Sequence, residues 1–179
     1  MADPQLQTSR LILRPPIEDD LEGWAGLDAD PRAIQFLGGL RSRDQAWMDM
    51  AAAAGMWRLR GCGLFSVIEI DTGRWIGRVG PWLPEDAIGT EVGWAISPAS
   101  WGKGYATEAA RAAVAWAFDH LGWADVIHCI DAPNTASIAV AERLGSSWLR
   151  TDQEASGKEV EVYGQSRGAW YDANPGQAL

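Results

Sequence analysis

The stretch Glu91-Val-Gly-Trp-Ala-Ile-Ser-Pro-Ala-Ser-Trp-Gly-Lys-Gly-Tyr-Ala-Thr-Glu-Ala constrains the fold more than any other. Thr90 to Ser97 has strand composition and is stopped by Pro98. A helix follows from near Gly104 to about His120, with Ala106, Ala109, Ala110, Ala113 and Ala117 along one side. Such a smooth stripe lets the helix lie close on a sheet. Asp125 to Asp131 is then a short apolar strand. A strand–helix–strand crossover requires its two strands to run parallel or nearly so. The turn into the helix carries Gly102 and Gly104 on either side of Lys103. Glycines there leave backbone N–H groups bare, and the helix start adds unpaired donors and partial positive charge. That is the physics of a phosphate cradle.

Around this unit the remaining pattern is mostly antiparallel. Ser9 to Arg14 alternates as a first strand, ended by Pro15-Pro16. Asp19-Asp20 open a helix carrying Leu21, Trp24, Ala25 and Leu27-Asp28. Gly38-Gly39 interrupts the next segment, and Arg43 to Arg58 forms a second helix ending near Gly61. Cys62–Ile70 and Arg74–Leu83 form a hairpin about Asp71-Thr72-Gly73, with Pro81 and Pro84 marking a bulge or an edge. After Asp131 come a helix over Asn134–Leu144 and a strand pair, Ser147–Glu154 and Glu159–Gln165. The tail from Asn174 is expected to fray. The order is mixed α/β, and 179 residues suit one domain spanning 1–179.

Charge and composition narrow the function. A net charge of −9 argues against nucleic-acid binding, which depends on neutralising phosphates, and suits a cationic partner. No apolar run reaches the roughly 18 residues of a membrane span. Met1-Ala2-Asp3-Pro4 lacks the pattern of a signal peptide, so a cytoplasmic protein is expected. Cys62 and Cys129 lie in apolar stretches with no metal-ligand spacing and are read as reduced, buried thiols, with no metal site. His120 and His128 show no catalytic partner pattern and are read as structural.

Three readings compete for the glycine turn. A Walker loop would need GxxxxGK followed by Ser or Thr, which is absent. A dinucleotide fingerprint would need a small residue where Thr107 stands, and a place in the first strand–helix unit. The third reading is a plain turn. Trp101-Gly-Lys-Gly-Tyr-Ala106, however, resembles the acyl-CoA pyrophosphate loop of the GNAT superfamily of N-acyltransferases, Gln/Arg-x-x-Gly-x-Gly/Ala. Gly104 and Ala106 fill the small positions and Trp101 replaces the first residue. The wider stretch is similar to the RimJ/RimL-like branch of ribosomal-protein N-terminal acetyltransferases. So are Thr8-Ser-Arg-Leu-Ile-Leu-Arg14-Pro, Glu91-Val-Gly-Trp-Ala-Ile, and Asn134-Thr-Ala-Ser137-Ile-Ala-Val-Ala-Glu-Arg-Leu-Gly145.

The resemblance implies a single GNAT-like domain: a largely antiparallel sheet with a splayed parallel strand pair, flanked by helices. A bulge at Gly93 would splay Thr90–Ser97 from Val126–Asp131 and admit the pantetheine arm of acetyl-CoA. It implies cofactor contacts from Ala95, Ile96, Ser97, Trp101, Gly102, Lys103, Gly104, Tyr105, Ala106, Asn134 and Ser137, with a backbone N–H of Ala95–Ser97 polarising the thioester. Arg111 and Arg143 are left as helix-face residues, with Lys103 the better phosphate partner. Glu91 is the expected base, with Asp131 in reserve. Ala141 stands where many family members have a tyrosine acid, so Ser137 is expected to assist the leaving sulfur. Asn134 is equally an ideal helix cap. Ser146 replaces the aromatic that commonly follows Leu-Gly. The implied activity is transfer of acetyl from acetyl-CoA to an amine, a protein or peptide α-amine first and a small-molecule amine second. A non-catalytic acyl-CoA sensor is the alternative. The acceptor site would come from the helices of Asp19–Arg60 and the late strand pair. The partners are the amine acceptor and a second copy in a homodimer, with no nucleic acid and no membrane.

Overall fold

The computed structural model describes residues 4–175. The strands are β1 (Leu6–Gln7), β2 (Leu11–Arg14), β3 (Phe65–Glu69), β4 (Trp75–Trp82), β5 (Glu91–Ile96), β6 (Asp125–Ile130), β7 (Ser147–Gln153) and β8 (Glu159–Ser166). The helices are α1 (Leu21–Asp28), α2 (Arg43–Arg60), α3 (Tyr105–His120), α4 (Thr135–Arg143) and α5 (Arg167–Ala173). One sheet runs in the order β1-β2-β3-β4-β5-β6-β8-β7, and all its neighbours are antiparallel except β5–β6. The mixed α/β fold read from the sequence is therefore the observed one.

Local chemistry sets the elements. α2 begins at a capping box: Ser42 Oγ accepts from the Gln45 N–H, and Gln45 Oε1 accepts from the Ser42 N–H. It ends at Gly61, whose φ of 69° lies in the left-handed region. The alanine stripe of α3 is buried, as Ala109, Ala110, Ala113 and Ala117 are all fully covered. It packs with Leu11, Leu13, Phe65, Val67, Val79 and Val92 into the main core. Opposite residues on the strands face α1 and α2, where Trp24, Met50 and Ala53 form a second core. That face carries a buried ion pair. Arg78 of β4 donates to both oxygens of Asp28 on α1, at 3.2 and 2.9 Å, and stacks 4.4 Å over the Trp24 ring.

Several expectations are corrected. The bulge assigned to the prolines lies instead at Ile76, the extra residue between Trp75 and Gly77 opposite Val67-Ile68. Pro81 lies beyond the last β3 pair, Phe65↔Val79, so its missing N–H leaves no gap in that ladder. Gly93 makes no bulge against β4: the register runs unbroken from Gly77↔Ile96 through Gly80↔Gly93 to Trp82↔Glu91. The splay from β6 arises without it, because β5 and β6 share only the pair Glu91↔Ile127. β1 and α5 were not anticipated. Trp170 of α5 is fully buried against Phe118, and Arg111 Nη1 donates to Asn174 Oδ1 at 2.6 Å. Asn174 is thus anchored rather than frayed, and residues 176–179 of the expected tail lie outside the described residues.

Asp28 is fully buried and Arg78 nearly so. Removing one partner strands the other charge without water. Asp28→Ala should therefore lower the unfolding free energy by about 3–5 kcal/mol in urea titration. A loss below about 1 kcal/mol would show that the pair does not fix α1 to the sheet.

Candidate active site

The site is built on the separation of β5 from β6. In an antiparallel ladder, alternate residues turn their N–H and C=O groups to the same neighbour. The Ser97 N–H donates to Ile76 O at 2.8 Å, so Ala95 and Gly93 also bond toward β4, whereas the Glu91 N–H donates to Gly89 O at 2.9 Å. The main-chain groups of Val92, Trp94 and Ile96 consequently face β6, where the ladder has stopped. Two of those carbonyls are satisfied by side chains. His128 Nδ1 lies 2.7 Å from Val92 O, and Trp101 Nε1 donates to Ile96 O at 2.7 Å. Of the Ala95–Ser97 donors expected to polarise a thioester, only the Ile96 N–H faces the gap, joined there by that of Trp94. The donors of Ala95 and Ser97 are committed to β4.

His128 is fully buried, and burial lowers its pKa to about 4, so the ring is neutral at ordinary pH. A carbonyl can only accept, which places the proton on Nδ1. Nε2 then accepts from the Ser146 hydroxyl at 3.1 Å, and Ser146 Oγ accepts from Gln165 Nε2 at 3.0 Å. One chain of hydrogen bonds thus crosses from β8 through β6 to β5. It explains why Ser146 occupies a position where an aromatic was expected: it is 4% exposed and bridges two polar side chains. His128 is structural, as its sequence context indicates.

Above the gap lies the glycine turn. Gly102 and Gly104 adopt φ of 75° and 80°, which L side chains rarely take. Among the described residues beyond the adjoining chain, nothing lies within 4 Å of where a Cβ on Gly102 would point, and Gly104 would meet Arg10 Nη2 at 3.7 Å. Gly104 is the N-cap of α3, with no side chain capping the helix start. The turn therefore presents open backbone donors at a helix N-terminus, which fits a pyrophosphate. Trp101 is half-exposed and ties the turn to the end of β5, and Lys103 Nζ lies 5.8 Å from the Tyr105 ring. Ala106 packs against the core. The Tyr105 side chain points inward, its hydroxyl donating to Glu69 Oε1 at 2.6 Å, so only its backbone is available to the turn. Arg10, which the sequence reading passed over, braces the turn. It donates to Lys103 O at 3.0 Å, pairs with Glu108 and stacks 4.5 Å over Tyr105.

Glu91 sits at the pivot, on the last paired residue before the strands part, facing the α1–α2 side of the sheet. Burial raises its pKa from 4.5 to about 7. The Cys129 backbone and thiol, hydrogen-bonded to it, oppose the rise, and the charge of Glu154 adds to it. Cys129 is only partly buried, unlike the deep thiol expected. Asp131, the reserve base, is held in an ion pair with Lys158 Nζ at 2.5 Å. Lys158 also donates to Phe36 O, drawing the β7–β8 turn to the α1–α2 loop beside this face. On the other side of the sheet, Asn134 caps α4 by accepting from the Ser137 N–H at 3.2 Å. Ser137 Oγ accepts from Trp94 Nε1 at 3.2 Å. Ala141 is buried beneath, so no hydroxyl replaces the missing tyrosine there. Arg111 is not a free surface cation, since it also donates to Arg143 O. Glu91 lies on β5, the glycine turn is tied to the end of that strand through Trp101 and Ile96, and Ser137 is joined to it through Trp94. Sequence periodicity could not find Trp94, Glu154 or Arg10, because their partners lie far away in the chain.

Residues 10–147 match the family model described as an acetyltransferase (GNAT) domain. The chain is 34% identical to the FsC-acetyl coenzyme A-N(2)-transacetylase of Aspergillus fumigatus, over 84% of this chain and 68% of that protein. It superposes on an acetyltransferase from Agrobacterium tumefaciens with a TM-score of 0.84 at 29% identity, covering 93% and 96% of the two chains. RimL, a ribosomal L7/L12 α-N-protein acetyltransferase solved with coenzyme A, shares the fold at a TM-score of 0.75 and 14% identity, over 93% and 99%.

The raised pKa of Glu91 has a signed consequence for stability. Unfolded, the carboxyl ionises near 4.5; folded, it keeps its proton to about pH 7. The native state therefore loses stability as pH rises between those values. Glu91→Gln, which cannot titrate, should gain stability relative to the parent across pH 4.5–7 and hold that difference above. Urea midpoints of the two proteins that differ by the same amount at pH 4.5 and 8 would contradict a half-buried, proton-holding Glu91.

Proposed function

The chain belongs to the GNAT family of acetyltransferases, and on that premise we propose that it moves acetyl from acetyl-CoA directly to an amine. Acetyl-CoA is a substrate here, not a resident cofactor. Gly102, Lys103, Gly104, Tyr105 and Ala106 would hold its pyrophosphate through backbone amides, with Trp101 closing the turn. The N–H groups of Trp94 and Ile96, which face away from β4, and the amide side chain of Asn134 would hold the pantetheine.

The observation that carries the reading is the placement of a carboxylate poised near neutral pH at the pivot of the splayed strands. A base is most effective when its pKa lies close to the working pH. In the reaction the amine nitrogen bonds to the thioester carbon and the carbon–sulfur bond breaks. The amine proton passes to Glu91, directly or through water. The electron pair leaves with sulfur, which Ser137 steadies by a hydrogen bond. The Ile96 N–H supports the charge growing on the carbonyl oxygen. No covalent enzyme intermediate is required.

The acceptor we propose is a protein or peptide α-amine, in keeping with the resemblance of the sequence motifs to the RimJ/RimL-like branch. At pH 7 about a tenth of an α-amine is neutral, against about one part in 10³ of a lysine, so a base like Glu91 has less to do. The FsC-acetyl coenzyme A-N(2)-transacetylase relative favours a second reading in which the amine belongs to a small molecule.

A peptide with both a free α-amine and a lysine separates these readings. After brief incubation with acetyl-CoA, mass spectrometry should place the label on the α-amine at least tenfold over lysine. Label mainly on lysine, or none on the peptide while a small amine releases free CoA, would overturn the α-amine assignment. No CoA release with any amine would overturn the transferase reading itself.

A further inference from the structure

We infer that Trp94 is a positioning residue for the reaction, orienting the Ser137 hydroxyl toward the departing sulfur. The inference rests on the role proposed for Ser137 and goes beyond it, because it gives a task to a side chain outside the glycine turn and the α4 start.

A serine hydroxyl rotates freely and can donate in several directions. Ser137 stands in the first turn of α4, where its N–H is already engaged by Asn134 Oδ1. Trp94 reaches it from β5, forty-three residues earlier in the chain, and Nε1 lies 3.2 Å from Ser137 Oγ. The indole nitrogen carries a hydrogen and has no acceptor capacity. The direction of this hydrogen bond is therefore fixed: Trp94 donates and Ser137 accepts. Ser137 cannot spend its own proton on Trp94, and one of its lone pairs is occupied. Its O–H is left to point away from the indole. Accepting a bond also makes a hydroxyl a better donor, since successive hydrogen bonds polarise one another.

The indole is held firmly enough to serve this purpose. Trp94 packs against the main core, and its ring lies 4.8 Å from the His128 imidazole, tilted by 54°. His128 is fixed by Val92 O on one nitrogen and Ser146 on the other. The same chain of hydrogen bonds that satisfies the open edge of β5 thus seats the side chain that aims Ser137. With Ala141 in place of a tyrosine, the hydroxyl that α4 offers to Trp94 is that of Ser137, and it needs such an aim.

The test compares the parent, Trp94→Phe, Ser137→Ala and the double variant in steady-state turnover of acetyl-CoA with an amine, read by thiol release. Phenylalanine keeps an aromatic ring beside His128 and removes the N–H. Each single variant should lower kcat by about fivefold to tenfold, the worth of one hydrogen bond. The KM for acetyl-CoA should stay within about twofold, since help to a leaving thiolate is felt in the transition state. The double variant should be no slower than Ser137→Ala alone, because Trp94 acts only through Ser137. Replacing Trp94 by benzothienylalanine, which keeps the bicyclic shape but lacks the N–H, should repeat the loss if Trp94→Phe fails to fold. A fall in kcat for Ser137→Ala with none for the Trp94 variants would overturn the inference. So would losses that multiply in the double variant. An unchanged kcat in Ser137→Ala would instead overturn the role of Ser137, and with it the need for an aiming residue.

Discussion

The two central strands stop pairing after a single contact, and a sheet interrupted in its middle leaves main-chain groups that water or side chains must satisfy. That constraint governs the rest of the site. A neutral imidazole meets the Val92 carbonyl and an indole meets the Ile96 carbonyl. The donors of Trp94 and Ile96 remain turned to the gap. A cleft lined by one-sided backbone donors suits an extended amide-bearing chain, which can replace the missing strand edge. The His128–Ser146–Gln165 chain is buried, so its bonds are costly to leave unmade. The opening is bordered by specific polar contacts.

The same opening explains the electrostatics. Glu91 is the last residue paired before the strands diverge, so its carboxylate is partly cut off from water and near the charge of Glu154. Both influences favour the protonated form. The stability forgone by holding a carboxyl there is what makes it useful as a base near neutral pH. On the opposite face of the sheet, the hydroxyl of Ser137 meets the indole of Trp94. The proposed base and the proposed leaving-group donor thus belong to opposite faces of β5.

Much of this was legible in the sequence because local chemistry dictated it. The strand, glycine turn and alanine-striped helix follow from residues 90–120 alone, and the parallel pair follows from the crossover they make. The Glu91 and Ser137 positions came from resemblance. What periodicity could not give were contacts between distant segments. Gly93 suggested a bulge, yet the β4–β5 register runs straight through it, and the Val92 carbonyl beside it is met by the distant His128. Ala95 and Ser97 appeared as available as Ile96 until the ladder's alternation turned their N–H groups to β4. Tyr105 sits within the turn in sequence but is drawn inward by Glu69, from another strand. The α5 helix was hidden because its seven residues carry only one fully buried anchor, Trp170.

The central claim is that Glu91 acts as the base from a pKa set by its place at the pivot. The most direct measurement is the pH dependence of kcat/KM for the amine, from pH 5 to 8, in the parent and in Glu91→Gln. The account predicts a parent profile that rises with pH and bends near 7, above the acceptor's own titration effect. It predicts a variant at least a hundredfold slower in which that bend is gone. A variant that retains both the rate and the bend would contradict it.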